Sequence, residues 1–246
     1  MNNVLHYEEL DSTNAEAKRL IRGEHNRDGS FCVNDLYGTV ITAKSQTAGR
    51  GRLGRSFASP GGGSIYASFI LEPPENPAEQ RITAFAAVAV CLAVEKTTSY
   101  KPGIKWINDI LVDGKKICGI LAESVPGAVI LGIGININLA GSDLPDGAGS
   151  LVMDEKERPR FFETLIEEVF HCINVSDSPE LMDEYRERSV LLGKAIILLR
   201  KDEYPGNYIG VPAFCEGIAD DGALIVRYED GSIEELRSGE ISVRLA

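Results

Sequence analysis

Three arginines alternate with glycines in one short stretch, Gly49–Ser56, which reads GRGRLGRS. The stretch comes close to the phosphate-binding signature G-x-x-x-x-G-K-[S/T], with Arg55 in the place of the lysine. A loop of that kind needs a helix directly after it, because the helix N-terminus helps to bind the phosphates. Here Ser56–Gly63 follows, and its proline and three consecutive glycines disfavour a helix. The sequence therefore argues against a P-loop and leaves two interpretations, a solvated basic loop or a different kind of anion site.

The overall charge favours a local anion site over a nucleic-acid site. The chain of 246 residues has 25 Lys and Arg against 37 Asp and Glu, a formal net charge of −12. Broad binding to a phosphate backbone needs a positive footprint, so we expect no nucleic-acid partner. Arg50, Arg52 and Arg55 concentrate positive charge that suits charge-assisted hydrogen bonds to one small anion. The glycines between them allow the backbone to approach such an anion closely and keep the empty loop mobile.

Other residue types give no support for a metal or membrane site. The five cysteines and three histidines are scattered along the chain, without a C-x-x-C pair. This pattern is typical of reduced thiols in the cytosol and predicts no protein-bound metal. The residues after Met1 lack a secretory signal, and the longest apolar run, Ala84–Val94, is well below membrane-spanning length. We expect a cytoplasmic protein without membrane contact.

The elements that must position the arginine loop alternate between strands and helices. Val40–Lys44 predicts a strand that leads into the loop, and Ser64–Leu71 predicts another after it. Further strands are predicted at 4–7, 104–106, 109–112, 115–123 and 129–136, and helices at 15–22, 78–98, 161–175 and 180–190. From Leu191 onwards, five short strand candidates separated by Asp-Gly turns predict a small barrel. We place the domain boundary near Arg188, which gives domains 1–188 and 189–246.

Further motifs follow one another in a fixed order along the chain. They are Ser12–Asn14, Gln46–Arg52, Lys105–Asp109, Val112–Lys116, Gly119–Glu123, Gly132–Asn136 and the terminal Ser238–Arg244. Together these motifs resemble the biotin protein ligase family, and the resemblance covers roughly the whole chain. It implies an α/β (α+β) fold, a mixed β-sheet catalytic domain of the biotin/lipoate ligase type followed by a small SH3-like barrel.

The resemblance also implies an activity. Members of this family use ATP and Mg²⁺ to convert biotin to biotinyl-5′-AMP with release of pyrophosphate. They then transfer biotin to one lysine of an apo biotin carboxyl carrier protein, or of the equivalent domain of a carboxylase. The same resemblance allows a homodimer. Some members carry an N-terminal DNA-binding domain, but here the motif at Ser12 comes too early to leave room for one. We therefore expect a ligase without repressor function.

Each implied contact falls on a residue that matches a family motif. The biotin contacts would be Ser12, Thr13, Gln46, Gly49, Arg50, Lys116, Gly119, Ile120 and Leu121. The contacts to ATP or the adenylate would be Arg50, Arg52, Arg55, Phe57, Lys116 and Asn136. The residues implied in the chemistry are Lys116, Asp109 and Arg52.

These residues would divide the chemistry between them. Lys116 would neutralise the carboxylate and the α-phosphate oxygens, whereas Lys115 should point to the opposite face of its strand. Asp109 would orient and attract the incoming lysine amine rather than abstract its proton fully, because a carboxylate is a weak base at neutral pH. Arg52 would help the closed loop to retain the adenylate and to exclude water.

One departure and two alternatives accompany this interpretation. The family pattern is commonly Lys-Trp-Pro-Asn-Asp, and this chain has Ile107 in the proline position, which predicts a looser turn before Asp109. A lipoate or octanoyl ligase or transferase would share the catalytic fold, although the Gly/Arg loop together with Lys-Trp-Ile-Asn-Asp favours biotin. A non-catalytic biotin-binding sensor is the second alternative, and intact Lys116 and Asp109 argue against it.

Overall fold

Two β-sheets organise the computed structural model, which describes residues 3–23, 32–74, 79–139, 141–175, 178–201, 208–237 and 242–245. The first sheet has seven strands in the order β1-β2-β3-β7-β6-β5-β4. Strands β1 and β2 are parallel, and the other neighbours in this sheet are antiparallel. The second sheet has five antiparallel strands in the order β11-β10-β9-β8-β12.

The elements lie close to where the sequence pattern predicts them. The seven strands of the first sheet are β1 (Val4–Leu10), β2 (Val40–Gln46), β3 (Ile65–Leu71), β4 (Gly103–Lys105), β5 (Asp109–Val112), β6 (Lys115–Val125) and β7 (Ala128–Ile135). The helices of the described residues are α1 (Thr13–Ile21), α2 (Glu79–Thr97), α3 (Arg158–Asn174) and α4 (Pro179–Glu187). The second sheet comprises β8 (Ala195–Lys201), β9 (Tyr208–Ile218), β10 (Leu224–Arg227), β11 (Ile233–Leu236) and β12 (Ser242–Leu245). The predicted α/β class, a mixed sheet followed by a small all-β unit, is confirmed. Residues 238–241 of the terminal motif lie outside the described part of the chain.

Helix α2 forms the centre of the main core. Its alanines at 84, 86, 87, 89 and 93 are fully buried, as expected for a helix that is covered on every side. Strand β3 is buried along its whole length because it packs on both faces. Phe69 faces the core around α2, whereas Ile70 belongs to the smaller cluster beneath α1. Along the Ile70 face the strand period of two also brings Ser68 towards α1, where the site begins.

No helix in the described ranges is long and apolar enough to cross a membrane.

The cysteines differ sharply in their exposure. Cys32 is exposed, whereas Cys91, Cys118, Cys172 and Cys215 are buried and free. Burial raises the pKa of Cys91 to about 12 and the pKa of Cys172 and of Cys215 to about 11. Burial also raises the pKa of Cys118 well above its ordinary value. Since the thiolate is the reactive form, these four thiols should be inert in the folded protein.

We predict that a thiol reagent at neutral pH modifies one of the five cysteines rapidly in the native protein and all five in denaturant. The variant Cys32→Ser should lose the rapid phase in the native protein, and its four remaining cysteines should still react in denaturant. Two or more rapid phases in the native protein would contradict the burial described here.

Candidate active site

The arginine loop closes on itself. Arg50 and Ser56 form an antiparallel bridge, and Phe57 N donates to Gly49 O over 2.9 Å. Arg52 begins a single 3-10 turn, Arg52–Gly54, and Gly51 N donates to Arg55 O over 2.7 Å. Residues 55–64 contain no helix, which agrees with the argument against a P-loop. The loop therefore offers its arginine side chains, and not a helix N-terminus, to an anion.

Beneath this loop lies a cavity of about 150 Å³, here called the inner compartment. Its walls come from the start of α1, the end of β2, the loop itself and the middle of β6 and β7. Of the residues predicted from the family motifs, it is lined by Ser12, Thr13, Gln46, Arg50, Arg52, Arg55, Phe57, Asp109, Lys116, Gly119, Ile120 and Leu121. Residues that lie up to 122 positions apart in the sequence, from 12 to 134, meet in this one cavity.

One end of the inner compartment is a fixed polar network. Thr13 donates from N and from Oγ1 to Gln46 Oε1, at 2.8 and 3.2 Å. Gln46 Nε2 donates to Ser59 Oγ over 2.8 Å, so both ends of the amide are held. Ser68 Oγ lies 2.8 Å from Thr13 Oγ1 and 2.5 Å from Asn14 Oδ1. These buried donors and acceptors suit a ligand group that carries both N–H and C=O.

Ser12 adds a further buried hydroxyl at this end. The residue occupies the N-cap position of α1 in an extended conformation, and its carbonyl oxygen accepts a hydrogen bond from Glu16 N. Its side chain, however, makes no capping hydrogen bond to the helix. The helix thus begins at Ser12 without a hydrogen bond from this hydroxyl, and Ser12 lines the inner compartment.

The floor of the inner compartment is free of side chains at three positions. Gly119 on β6 pairs with Gly134 on β7, and Gly132 lies two residues before Gly134 on the same face. A Cβ on Gly134 would lie 2.6 Å from the Phe57 ring, and a Cβ on Gly132 would lie 2.3 Å from Asn14 Oδ1. At Gly119 a Cβ would come within 3.0 Å of the same ring. The glycines therefore make the space in which Phe57 and Asn14 sit.

A second cavity of about 500 Å³, the outer compartment, adjoins the first. Asn136 lines it, with Nδ2 donating to Gly149 O over 2.9 Å. Its other wall is residues 145–148, which pair with β6 because Lys116 N donates to Gly147 O and Gly149 N donates to Lys116 O. The two compartments share the residues Ser56, Phe57, Lys105, Asp109 and Lys116.

The shared wall carries an ion pair. Lys116 Nζ lies 2.6 Å from Asp109 Oδ1, and the two side chains are 35% and 22% exposed. Lys116 Nζ also lies 5.9 Å from the centroid of the Phe57 ring, within the range of a cation–π contact. The Lys116 ammonium group therefore lies where a ligand in the inner compartment would contact a ligand in the outer compartment.

The three arginines of the loop differ in environment. Arg52 is half-buried and donates from Nη1 to Asn108 Oδ1 over 3.4 Å. Burial lowers the pKa of Arg52, and the nearby charge of Asp109 opposes this effect. The guanidinium remains protonated, because arginine does not lose its charge in proteins. Arg50 and Arg55 are exposed and form no ion pair with any residue that the structure describes.

The turn before Asp109 is tied down without a proline. Ile107 is buried, and its carbonyl oxygen accepts a hydrogen bond from Tyr185 Oη. Asn108 Nδ2 donates to Ile120 O over 2.8 Å, and Ile120 N donates to Asn108 O over 3.0 Å. The Trp106–Ile107 peptide bond is cis. These hydrogen bonds fix the turn that the sequence predicted to be looser.

Two predicted site residues lie away from the inner compartment. Asn136 lines the outer compartment instead, and Gly49 lines neither. Gly49 is buried in the stem of the loop, where a Cβ would lie 2.4 Å from Phe57 O and 2.6 Å from Ser59 Oγ. Several residues that line the inner compartment had no ligand contact predicted from the sequence, among them Asn14, Tyr66, Gly132 and Gly134. For three of these the signal was available, because Asn14 completes the Ser12–Asn14 motif and both glycines lie in Gly132–Asn136.

Comparison with known proteins finds family matches in both sheets of this chain. Residues 26–139 match the biotin/lipoate A/B protein ligase family, and residues 215–244 match the biotin protein ligase C-terminal domain. A biotin–[acetyl-CoA-carboxylase] ligase from Paracoccus denitrificans is 32% identical over 240 residues, covering 88% of this chain and 91% of the relative. The bifunctional ligase/repressor BirA of Bacillus subtilis is 37% identical over 150 residues, which cover 58% of this chain and 43% of that protein. This chain thus matches less than half the length of that relative.

A solved structure extends the similarity to the whole chain. The biotin protein ligase from Aquifex aeolicus in complex with biotin and ATP has a TM-score of 0.78 and 26% sequence identity, with all of both chains covered. Taken with the matches over both sheets, this similarity shows that the chain belongs to the biotin protein ligase family.

Proposed function

We propose that this protein is an ATP-dependent biotin protein ligase. The observation that carries the proposal is the pair of adjoining compartments with Lys116 and Asp109 in their shared wall. An enzyme that joins a carboxylate to an α-phosphate must hold the two anions side by side and neutralise the charge between them. The arrangement of the two compartments meets that requirement.

In this proposal the inner compartment holds biotin. The ureido group, with two N–H donors and one C=O acceptor, pairs with the polar network of Ser12, Thr13 and Gln46. The fused rings lie beside Ile120 and Leu121, against the Phe57 ring that packs on the glycine floor. The carboxylate then extends towards Lys116, and the arginine loop covers the ligand.

The outer compartment holds ATP in the same proposal. Asn136 and the wall at residues 145–148 face the nucleoside, and Phe57 separates it from biotin. A carboxylate oxygen of biotin attacks the α-phosphorus, and the bond to the bridging oxygen breaks as pyrophosphate leaves. Lys116 and Arg52 stabilise the charge that develops on the oxygens around this phosphorus.

Transfer of biotin requires an amine to reach the acyl carbon of the adenylate. Asp109 lies in the wall that both compartments share, where it orients the lysine side chain of the acceptor by charge attraction. The amine nitrogen forms the amide bond, AMP leaves, and the amine gives up its proton. The acceptor in this proposal is an apo biotin carboxyl carrier protein, and the catalytic unit comprises residues 1–188, followed by the small barrel of residues 189–246.

Mg²⁺ enters this scheme with the nucleotide. Within the described ranges, no group of three or more histidine, cysteine, aspartate or glutamate side chains could hold a metal ion. Mg²⁺ usually binds through the phosphates of a nucleotide and only one or two carboxylates. We therefore treat MgATP as the substrate, and the protein supplies Lys116 and the arginines around its phosphates.

The proposal is tested by exchange of labelled pyrophosphate into ATP in the presence of Mg²⁺, with biotin, with lipoate or with no acid added. We expect exchange that depends on biotin. Labelled pyrophosphate enters ATP only when adenylate formation runs backwards, and the adenylate forms only when the acid is present. Exchange with lipoate alone would make the protein a lipoate ligase. A folded protein without exchange would contradict the proposal.

The glycine floor predicts the effect of one added methyl group. In Gly134→Ala the new Cβ overlaps the Phe57 ring, so the ring must move into the space proposed for biotin. We expect the Kd for biotin, measured by calorimetry, to rise about tenfold or more, and the free energy of unfolding to fall by about 1–3 kcal/mol. Gly217→Ala on β9 is the matched control, because its Cβ would meet Ile225 at an ordinary 3.5 Å. Equal affinities in Gly134→Ala and the control would contradict this description of the floor.

A further inference from the structure

The turn that carries Asp109 is fastened to the five-stranded sheet. Residues 106–108 connect β4 to β5, and the side chain of Trp106 at the start of this turn is buried. Its indole Nε1 donates a hydrogen bond of 2.9 Å to Gly222 O, which belongs to the turn between β9 and β10. Residues 116 positions apart in the chain are thus joined by one buried hydrogen bond.

The turn that offers this carbonyl oxygen is itself well defined. Ala219 N donates to Ala223 O and Gly222 N donates to Ala219 O, both over 2.9 Å. Asp221 accepts a hydrogen bond from Ala223 N and pairs with Arg237 at 2.8 Å. Gly222 has φ +86°, a conformation that favours glycine. The acceptor for Trp106 is therefore held in one place by the five-stranded sheet.

Helix α4 ties the same turn to the same sheet from another side. Tyr185 is fully buried, and its Oη donates to Ile107 O over 3.2 Å. The next residue, Arg186, donates from Nε to Ile218 O over 2.9 Å and pairs through Nη2 with Asp220. Two neighbouring residues of α4 thus connect the turn before Asp109 with the end of β9 and the residues that follow it.

The chain between α4 and β8 completes the attachment. Ile104 N donates to Arg188 O over 2.8 Å, and Val190 N donates to Ile104 O over 2.9 Å. These bonds extend the edge strand β4 by a short parallel bridge. By contrast, Lys116 lies on β6, which is held by β5, by β7 and by the backbone at Gly147 and Gly149. The attachment therefore acts directly on the segment that leads to Asp109, whereas Lys116 has additional support from the backbone at Gly147 and Gly149.

We infer that the five-stranded sheet positions Asp109 for biotin transfer, and that Tyr185 is the positioning residue that carries its effect. Trp106, which also lines the inner compartment, links the same turn to the sheet. The inference rests on the proposed function, since it assigns the sheet a role in the second of the two proposed steps. Tyr185 lines neither compartment, so it acts through the turn and not by touching biotin or ATP. The hydroxyl of Tyr185 restrains Ile107, two residues before Asp109.

The variant Tyr185→Phe tests this role because it removes one hydroxyl and keeps the buried ring. We expect transfer from a preformed biotinyl-adenylate to an apo carrier domain to slow about fivefold to tenfold, the effect of one lost hydrogen bond on positioning. Biotin-dependent pyrophosphate exchange should stay within about twofold of the unmodified protein. Tyr37→Phe is the control, because it also loses a hydrogen bond from a tyrosine hydroxyl to a backbone carbonyl, Gly127 O at 2.6 Å, outside the site. Transfer that is unchanged in Tyr185→Phe, or a loss that is equal in both steps, would overturn the inference.

A second measurement does not depend on activity. Trp106 is the only tryptophan of the chain, so its fluorescence reports on the contact with Gly222. Arg186→Ala should shift the emission to longer wavelength and increase quenching by acrylamide, because the tie between α4 and the sheet is lost. Unchanged fluorescence in this variant would also overturn the inference. If the unmodified protein showed neither exchange nor transfer, the proposed function would fail, and this fluorescence result would still decide whether Arg186 holds the contact.

Discussion

Replacement of Lys116 by alanine is expected to reduce biotin-dependent pyrophosphate exchange by about 10²–10³-fold. Lys116 Nζ stands in the wall that the two compartments share, where a carboxylate and a phosphate would approach each other. Without this positive charge, nothing on β6 offsets the repulsion between the two anions. The negative charge that develops on the α-phosphate also loses the stabilisation by Lys116. The loss should appear mainly in kcat, because the charge matters most in the transition state.

Lys115→Ala provides the control for this result. Lys115 is the preceding residue on the same strand, is exposed and lines neither compartment. We expect the rate of pyrophosphate exchange in Lys115→Ala to remain within about twofold of that of the unmodified protein. The pair Lys116–Asp109 is partly exposed, so Lys116→Ala should change the free energy of unfolding by less than about 1 kcal/mol. Exchange above about a tenth of the normal rate in Lys116→Ala would contradict the role given to this lysine.

Asp109→Asn is expected to slow the transfer of biotin to the carrier much more than it slows pyrophosphate exchange. The substitution keeps the shape of the side chain and removes the charge that attracts the acceptor lysine. We expect transfer to an apo carrier domain to slow about 10²-fold, the typical cost of a nucleophile that is no longer held in the reactive geometry. Pyrophosphate exchange should change by no more than about threefold, because Lys116 keeps its place on β6.

A carboxylate in the turn of the same hairpin serves as the control. Asp113 is exposed in the turn between β5 and β6 and has φ +50°, which asparagine also tolerates. Asp113→Asn therefore removes the same charge without strain and should leave both steps unchanged. If Asp109→Asn slowed exchange and transfer equally, the carboxylate would belong to the first step instead.

Local signals in the sequence account for most of the fold. The Asp113-Gly114 pair predicts a hairpin, and both residues have positive φ in the turn that joins β5 to β6. In the five-stranded sheet, Gly222 and Gly231 have φ +86° and +83° at the turns that the Asp-Gly pairs predict. Strand β1 runs to Leu10, three residues beyond its prediction, because its pairing with β2 continues to Gln46. Pairing with a distant strand leaves no local signal at Glu8 and Glu9.

The candidate site was predictable only where a motif names the residue. Lys116 and Gln46 lie in such motifs, and both line the inner compartment. Ser68, which joins Thr13 to Asn14, looks in sequence like any small residue of a buried strand. The wall at residues 145–148 likewise depends on backbone pairing with Lys116, about 30 residues earlier. Contacts of this kind follow from the sheet order, which the strand pattern does not specify.

The most direct test of the proposed function is the mass of an apo biotin carboxyl carrier domain after incubation with this protein, biotin and MgATP. We predict that a single lysine of the carrier gains one biotinyl group, only when both biotin and ATP are present, with one AMP released for each group transferred. A carrier that stays unmodified while biotinyl-adenylate accumulates would contradict the proposal and identify the protein as a biotin-binding sensor.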